Sequence, residues 1–185
     1  MSSALYQSDR RWAGLLLGNG PSKIGRAGCV LTSLTMAARL LGARPDLLPP
    51  HANTACLVAG AFTGDNLIVP LAAKALGLTA DHDAILGLPG AAGLVDATRD
   101  ALARGLALLR IDVSGDDRGD HTILGVRNVA DGSVDCLCPA VGEVQLSPAL
   151  SATVDWGHHN SEGKWIPDLR KYRVVGVRGV QRPAS

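Results

Sequence analysis

The pattern of apolar residues changes once along this chain, near residue 105, and the change limits the folds that it can adopt. Before it, apolar residues recur with helical spacing, most clearly from about Cys29 to Leu41, where Gly42 is a plausible C-cap. Further helices are predicted over 52–61, 66–76 and 94–105. After it, short runs rich in Val, Ile and Leu predict strands over 106–113, 121–126, 133–137 and 173–180. Helices followed by strands predict an α+β fold with an antiparallel sheet.

The length of 185 residues suits one domain, predicted to cover residues 1–185. Apolar residues make up 46% and aromatic residues 3% of the chain, so the core is expected to consist mainly of Leu, Val, Ile and Ala. Residues 1–28 contain several glycines and few periodic apolar positions, which predicts a looped lead-in. Asp131-Gly132 predicts a turn, and residues 150–170, which have no clear period, predict a long loop or an insertion.

Charge and composition exclude several classes of protein. The net charge of +1, from 18 basic and 17 acidic residues, argues against a nucleic-acid partner bound mainly by charge. No stretch approaches the roughly 20 apolar residues of a membrane span, and the N-terminus is too polar for a secretory signal. Four cysteines are too few for a disulfide scaffold. We therefore expect a cytoplasmic protein, or one exported without a classical signal peptide.

Cys29 is the residue that points most directly to chemistry. It lies at the start of the clearest predicted helix, directly after Gly28. The partial positive charge and free N–H groups of a helix N-terminus stabilise a thiolate, which predicts a lowered pKa for Cys29. The same N–H groups are placed to bind an oxyanion that develops beside the sulfur. The alternative interpretation is a small buried cysteine that only packs.

A nucleophilic cysteine needs a base, and His121 is the best placed of the five histidines. It opens the apolar strand HTILGV after a polar, glycine-containing loop, so it can face a cleft while the strand anchors it. A surface histidine at the end of a loop is the alternative. His51 and His82 lie beside proline or charged residues and are expected to face solvent.

Several segments together resemble the papain-like cysteine peptidases of the bacteriocin-processing type, and more narrowly their stand-alone bacterial and phage branch. The similarity covers roughly residues 5–140 and is carried by QSDRRWAG (7–14), IGRAGCVLTSLTMA (24–37), AFTGDN (61–66), LARG (102–105) and DHTILGV (120–126). The resemblance implies a papain-like fold, in which an N-terminal helical half faces a C-terminal antiparallel sheet across the active cleft.

The resemblance also implies roles for three residues in the order Gln, Cys, His. Cys29 would be the nucleophile, and His121 would take its proton and later return it to the leaving amine. Gln7 would donate a side-chain N–H to the oxyanion beside the backbone N–H of Cys29. Trp12 is interpreted as a packing residue that holds the segment bearing Gln7. The substrate would be a peptide or a protein, and no cofactor is expected.

The chain departs from the family at one position. The family usually has an acidic residue directly before a proline at the end of the strand after the histidine, where it orients the imidazole. Here Cys138 precedes Pro139, and Asp135 is three residues earlier. Cys138 and Asp135 are therefore the candidates for a third member of the site. Because side chains alternate along a strand, Asp135 is expected to face away from Cys138, and Asp120 away from His121.

Cys136 and Cys138 are predicted to share one face of a strand as thiols, because neighbours at that spacing form a strained disulfide. A metal site would need two more ligands. His158 and His159 are the nearest candidates, but adjacent histidines on an extended chain diverge. We therefore expect these two cysteines to fill a core strand without a metal, with a redox or histidine-orienting role open for Cys138.

The residues thus predict thiol-dependent cleavage of a peptide or isopeptide bond. Two alternatives stay open at this point. Because Cys138 replaces the acid, the chain is also consistent with a pseudo-peptidase that binds peptides without cleaving them. The missing signal peptide is equally consistent with a peptidoglycan amidase or endopeptidase that other machinery delivers.

Overall fold

The structure is a computed structural model that describes residues 4–81, 85–86, 91–114, 120–128, 133–146, 153–159 and 165–184. Its helices come first in the chain: α1 (Ile24–Ala27), α2 (Cys29–Leu40), α3 (Pro49–Val58), α4 (Val69–Ala75) and α5 (Ala91–Arg104). Short strands interrupt them: β1 (Phe62–Thr63), β2 (Asn66–Leu67), β3 (Thr79–Ala80) and β4 (Ile85–Leu86). Longer strands follow: β5 (Leu106–Asp112), β6 (His121–Asn128), β7 (Val134–Cys138), β8 (Gly142–Leu146), β9 (Thr153–His159) and β10 (Trp165–Gln181).

Helix α2 is the central helix of the N-terminal half. Every residue from Leu31 to Ala38 is buried, and this includes polar residues such as Thr32 and Ser33. The helix ends at Leu40, and Gly42 follows with a φ of 69°, a left-handed conformation that favours glycine. Because nearly every turn of α2 is buried, the position of its first residue, Cys29, is set by packing along the whole helix.

The longer strands form one antiparallel sheet, in which β10 is the organising element. The described pairings run β10–β5–β6–β7–β8–β9, and the first half of β10 also pairs with β9, so the order closes on itself. The 17 residues of β10 make this possible, because one half of the strand bonds to β9 and the other half to β5. Strands β3 and β4 extend the sheet along β10.

Side-chain alternation on β5 and β6 divides the apolar interior into two clusters. Leu108 and Leu124 pack with α2 and the other N-terminal helices. Leu109, Ile111 and Ile123 face the opposite side and pack with α5 and the cysteines of β7. The first residues of β6 therefore lie between the two clusters, so consecutive side chains there face different surroundings.

The α+β class and the antiparallel sheet predicted from the sequence are confirmed. The predicted helices over 29–41 and 94–105 appear as α2 and α5, and the four predicted strands appear as β5, β6, β7 and part of β10. The helix predicted over 52–61 lies three residues earlier, as α3, because Pro49 and Pro50 suit the first turn of a helix. The helix predicted over 66–76 is shorter, because its first residues form β2.

Two predictions of irregular structure are wrong. Residues 150–170 were expected to form a loop or an insertion, but they contain β9 and the beginning of β10, which pair with each other. The two strands are neighbours in the chain, but their sequences have no clear apolar alternation, so the pattern did not reveal them. The lead-in over 1–28 also contains α1 and an isolated bridge between Leu16 and Lys23. The predicted turn at Asp131-Gly132 lies outside the described residues.

In the part of the chain that the structure describes, no helix has the length and apolar character needed to cross a membrane.

Candidate active site

Cys29 is the first residue of α2, and the glycine before it makes that position possible. The Gly28 N–H donates to the Ile24 carbonyl at 2.8 Å, which closes α1 tightly against the start of α2. A Cβ on Gly28 would lie 2.5 Å from the same carbonyl oxygen, closer than real contacts allow. The chain therefore passes directly from α1 into α2, and Cys29 occupies the helix N-terminus as the sequence predicted.

The surroundings of the Cys29 sulfur act on its pKa in opposite directions. Hydrogen-bonding groups of Thr122 and the N–H groups of Cys29 and Val30 favour the thiolate and lower the pKa. Burial favours the thiol and has the larger effect, so the pKa of Cys29 is raised above its ordinary value. Although the residue keeps part of its surface exposed, protein atoms surround the sulfur closely. The predicted lowering of this pKa is therefore wrong, because the sequence analysis counted the helix N-terminus and omitted the desolvation.

His121 is the first residue of β6 and is half-buried. Its Nε2 lies 3.3 Å from the Sγ of Cys138, within hydrogen-bonding distance for sulfur. Burial lowers the pKa of His121, and the nearby negative charge of Asp120 opposes this effect. The imidazole is therefore neutral at neutral pH, which is the protonation state that a general base requires.

Cys138 ends β7 and is fully buried. In the register of β6 and β7, Leu124 pairs with Leu137, which places Cys138 beside Ile123 and on the same face as His121. The backbone N–H of Ala140 donates to the Cys138 sulfur at 3.4 Å. Burial raises the pKa of Cys138 to about 11, so it is a thiol at neutral pH. The charge of Cys29 as a thiolate is a smaller cause of the same rise.

The two carboxylates near His121 in sequence have other partners. Asp135 forms a salt bridge with Arg127 on the exposed side of the sheet, so Cys138 and not Asp135 occupies the third position. Asp120 accepts a hydrogen bond of 2.8 Å from the Val113 N–H, and this bond lowers the pKa of the carboxyl. Among the described residues, neither carboxylate is hydrogen-bonded to the imidazole, although the charge of Asp120 acts on it.

Gln7 connects the segment before Cys29 to the end of β7. Its Nε2 donates to the Gly25 carbonyl at 3.1 Å, and its backbone N–H donates to the Pro139 carbonyl at 2.9 Å. Gln7 is 8% exposed, and its buried Oε1 has no hydrogen-bond partner among the described residues. An amide nitrogen carries two hydrogens, so the bond to Gly25 leaves a second one to donate.

Trp12 holds this segment in place, as the sequence predicted. Its indole N–H donates to the Tyr6 carbonyl at 2.9 Å, one residue before Gln7, and the ring is 2% exposed. A buried aromatic side chain with a satisfied N–H packs rigidly. Trp12 therefore fixes the backbone that carries Gln7.

Cys29 lines a cleft of about 820 Å³. One wall consists of the start of α2 and the segment from Asp65 to Pro70, and the other wall consists of residues of β5, β6 and β10. The wall residues that bear on the chemistry are Cys29, Asp65, Arg110, Asp120, Thr122 and Arg178. Neither Gln7 nor His121 lines this cleft, so it approaches Cys29 from the side of Thr122.

The structure thus brings Cys29 to Thr122 and His121 to Cys138. Thr122 and His121 are consecutive on β6, and their side chains face opposite sides of the strand, as the alternation requires. Among the described residues, no hydrogen bond joins Cys29 and His121 directly. In sites without substrate, catalytic hydrogen bonds are often long or poorly aligned and tighten when substrate binds.

The sequence analysis missed Thr122, Arg110 and Arg178 as residues of the cleft. A signal was present for Arg110, since it interrupts the almost continuous apolar run of β5. Thr122 directly follows His121, but nothing in the sequence shows that its hydroxyl faces Cys29. That contact depends on how α2 lies over β6, where the Ser33 hydroxyl also donates to the Thr122 carbonyl at 3.2 Å.

The remaining cysteines show no sign of metal ligation. Cys136 and Cys138 are both buried free thiols on β7. Over the described ranges, no group of three His, Cys, Asp or Glu side chains is arranged to hold a metal ion. The backbone of His158 and His159 lies in β9, where they pair with Ile166 and Trp165.

No family model, no curated protein and no solved structure matches this chain significantly. The proposed function therefore depends on the chemistry and geometry of the site itself.

Proposed function

We propose that the protein is a thiol-dependent hydrolase that cleaves a peptide or isopeptide bond, with Cys29 as nucleophile and His121 as base. The papain-like fold that the sequence resembles is part of this proposal. Gln7 and the backbone N–H of Cys29 would stabilise the oxyanion, and Cys138 would hold the imidazole. The substrate is a peptide or a protein.

The observation that carries the proposal is the position of the Cys29 sulfur. Cys29 begins a helix and lines a cleft of about 820 Å³, and Thr122 contacts its sulfur. The residue before Thr122 is the neutral His121, whose side chain faces the other side of β6. A purely structural cysteine needs neither the cleft nor the N–H groups that favour its thiolate. A nucleophile needs both, because the substrate must reach it and its charge must be stabilised.

The pKa directions determine how the nucleophile would be activated. The pKa of Cys29 is raised and that of His121 is lowered, both mainly by burial, so the pair rests as neutral thiol and neutral imidazole. The imidazole then removes the thiol proton as the sulfur attacks the carbonyl carbon, and an S–C bond forms while the carbonyl becomes an oxyanion. This is general-base activation, in contrast to a thiolate and imidazolium that exist before substrate binds.

The later steps use the same groups. The backbone N–H of Cys29 and the second Nε2 hydrogen of Gln7 would donate to the oxyanion. The imidazolium returns its proton to the leaving amine as the C–N bond breaks, which leaves a thioester on Cys29. His121 then takes a proton from water, the hydroxide attacks the thioester, and the acid product and the thiol are released.

A peptide-binding protein that does not cleave is the second candidate, and one observation favours it. Cys138 has a pKa of about 11 and contacts His121 as a neutral thiol. A neutral thiol stabilises an imidazolium less than a carboxylate does, and the loss of such a carboxylate lowers kcat by about 10⁴ in a serine protease. In this case the cleft would bind peptides while turnover stays near background.

The test compares wild type with Cys29→Ala on a panel of peptides, isopeptides and purified peptidoglycan, together with iodoacetamide labelling at several pH values. We expect hydrolysis by wild type only, and a labelling rate at Cys29 that keeps rising above pH 9, since its pKa is raised from 9.0. Cys56→Ala is the matched control, because Cys56 is buried away from the site. Equal turnover by wild type and Cys29→Ala would exclude the hydrolase, and retained peptide affinity without turnover would favour the second candidate.

A further inference from the structure

Two arginines lie on the wall of the cleft that reaches Cys29. Arg110 on β5 and Arg178 on β10 are both half-buried and both line this cavity. An arginine keeps its positive charge at any physiological pH, and its planar guanidinium matches a carboxylate with two parallel hydrogen bonds. Two such groups place positive charge on the wall of the cleft that β5 and β10 form.

The strand register places Arg110 close to the nucleophile. Arg110 pairs directly with Thr122 across β5 and β6, and hydrogen-bonding groups of Thr122 face the Cys29 sulfur. The Cβ atoms of directly paired residues lie about 5 Å apart in an antiparallel sheet. One threonine therefore separates Arg110 from the sulfur, well within the reach of an arginine side chain.

Strand β10 adds the second arginine. The residue paired with Arg110 on β10 is Gly176. Arg178 pairs with Leu108 and lies two residues along the same face. Its Nη1 donates to the Asp81 carbonyl at 3.2 Å, and a guanidinium has five N–H donors in all.

The two carboxylates of the cleft are held mainly by other groups. The first cause of the lowered pKa of Asp65 is a hydrogen bond from Ser22, and that of Asp120 is the Val113 N–H. These hydrogen bonds come from neutral donors and keep both acids ionised, so Asp65 and Asp120 remain negative groups of the cleft. Asp65 lies in the segment from Asp65 to Pro70 and Asp120 lies directly before β6, whereas the arginines lie on the adjacent strands β5 and β10.

We infer that Arg110 and Arg178 form a subsite for a carboxylate of the substrate, close to the bond that Cys29 attacks. The inference rests on the proposed function in so far as the ligand is a substrate, and it adds the chemical class of that substrate. The preferred substrate is a peptide with a carboxylate near the scissile bond, either on an acidic side chain or at a C-terminus. The two guanidinium groups would bind that carboxylate and position the bond beside the sulfur.

The first test uses the alkylation of Cys29 by two reagents of nearly equal size. Iodoacetate is negatively charged and iodoacetamide is neutral, so the ratio of their rates measures the attraction of an anion to the site. Variants Arg110→Gln and Arg178→Gln remove one charge each, and Arg110→Lys keeps it. Arg99→Gln on α5 is the matched control, since Arg99 pairs with Asp96 away from the cleft.

For wild type, we expect the ratio of the iodoacetate rate to the iodoacetamide rate to exceed the ratio for a free thiol by about fivefold or more. In Arg110→Gln this ratio should fall towards the free-thiol value. Arg110→Lys and Arg99→Gln are expected to retain the preference, which separates charge from an effect on folding. Added salt should lower the wild-type ratio. A wild-type ratio equal to that of free thiol, or one that no Gln variant changes, would overturn the subsite.

The second test does not depend on a reactive cysteine. Acetate is titrated into the Cys29→Ala variant at constant ionic strength, and the Nε–H resonances of the arginines are followed by NMR. Saturable shifts at Arg110 and Arg178, with none at Arg99, support the subsite even if the hydrolase proposal fails. Shifts equal to those caused by chloride would contradict the subsite even if the enzyme proves active.

Peptides then separate the two sources of the carboxylate. Three otherwise identical peptides carry Glu with an amidated C-terminus, Gln with a free C-terminus, or Gln with an amidated C-terminus. We expect one of the two charged peptides to bind Cys29→Ala at least about fivefold more tightly than the uncharged one. The tighter of the two identifies a side-chain or a terminal carboxylate, and equal affinity for all three would contradict the inference.

Discussion

The imidazole of His121 contacts a thiol, since 3.3 Å separates its Nε2 from the Sγ of Cys138. The sulfur also accepts the N–H of Ala140 at 3.4 Å, and with a pKa of about 11 it keeps its own proton. A thiol can both donate and accept, whereas an ionised carboxylate only accepts. Cys138 therefore holds the ring in place without selecting one tautomer as a carboxylate would.

Replacing Cys138 by Asp tests this difference. A carboxylate beside Nε2 would favour the imidazolium, so we expect the pKa of His121 to rise by about 1 to 3 units. It would also select the tautomer protonated at Nε2 and leave Nδ1 free as the base, which should raise kcat by about tenfold or more. Histidine titration by NMR measures the first effect, and peptide hydrolysis measures the second.

Two further substitutions of Cys138 serve as controls. Cys138→Asn supplies an acceptor without charge, so we expect kcat to rise while the pKa of His121 changes little. Cys138→Ala removes the contact and should lower kcat. If the pKa of His121 and kcat are the same in the Asp, Asn and Ala variants, Cys138 has no influence on the imidazole.

Gln7 is expected to contribute to turnover more than to stability. Gln7→Ala removes a donor to the oxyanion, which should lower kcat by about 10²- to 10³-fold. It also removes the bond to the Gly25 carbonyl, at a cost of about 1 kcal/mol in the free energy of unfolding. The measurements are steady-state kinetics and urea unfolding of the same preparations.

Asn53→Ala is the matched control for Gln7. Asn53 is also a buried amide, and it bonds to the Gly18 N–H and the Leu16 carbonyl, away from the helix N-terminus. We expect this variant to lose stability while kcat stays near the wild-type value. A similar loss of kcat in both variants would mean that Gln7 acts only through the fold.

Alkaline pH is expected to destabilise the protein through its buried thiols. Burial raises the pKa of Cys138 from 9.0 to about 11, so above pH 9 the unfolded chain loses this proton while the folded protein keeps it. The contribution to stability is complete below pH 9 and is lost as pH rises towards 11. Between pH 8 and pH 10.5, wild type should lose about 2 kcal/mol more in the free energy of unfolding than Cys138→Ala does.

Urea unfolding at several pH values measures this difference. The other titrating groups are common to both proteins, so only the difference between the two pH curves is interpreted. Cys56, whose pKa is also raised to about 11, provides a second case outside the site. Parallel curves for wild type and Cys138→Ala would show that this thiol is not desolvated as described.

Ser33 is expected to hold α2 against β6. Its buried hydroxyl donates to the Thr122 carbonyl at 3.2 Å, which joins residues 89 positions apart in the chain. Ser33→Ala leaves that carbonyl without this donor, so the free energy of unfolding should fall by about 1 kcal/mol. Thr54→Ala is the control, because its exposed hydroxyl donates to Pro50 within the same helix. An equal loss in the two variants, measured by urea unfolding, would contradict a special role for Ser33.

The local elements could be predicted because they depend on residues that are close in the chain. The apolar period of α2, with Gly28 and Gly42 at its ends, defines a helix that begins at Cys29. The Val-, Ile- and Leu-rich runs define β5, β6 and β7 in the same way. Periods and turn residues act over a few positions, so a short window of sequence contains them. The sequences of β9 and the first part of β10 have no such period, although the strands are neighbours in the chain, and the prediction for residues 150–170 was therefore wrong.

The partners of each side chain were decided only by the tertiary structure. The cross-strand register places Cys138 beside His121 and Arg110 beside Thr122, and the packing of α2 on β6 places Thr122 at the sulfur of Cys29. The direction of the Cys29 pKa shift was also decided by the tertiary structure. Desolvation sums over every atom around the sulfur, most of them from distant parts of the chain, whereas the helix N-terminus is local. The sequence alone therefore determined that α2 begins at Cys29, and long-range packing determined the protonation state of its thiol and the residues around it.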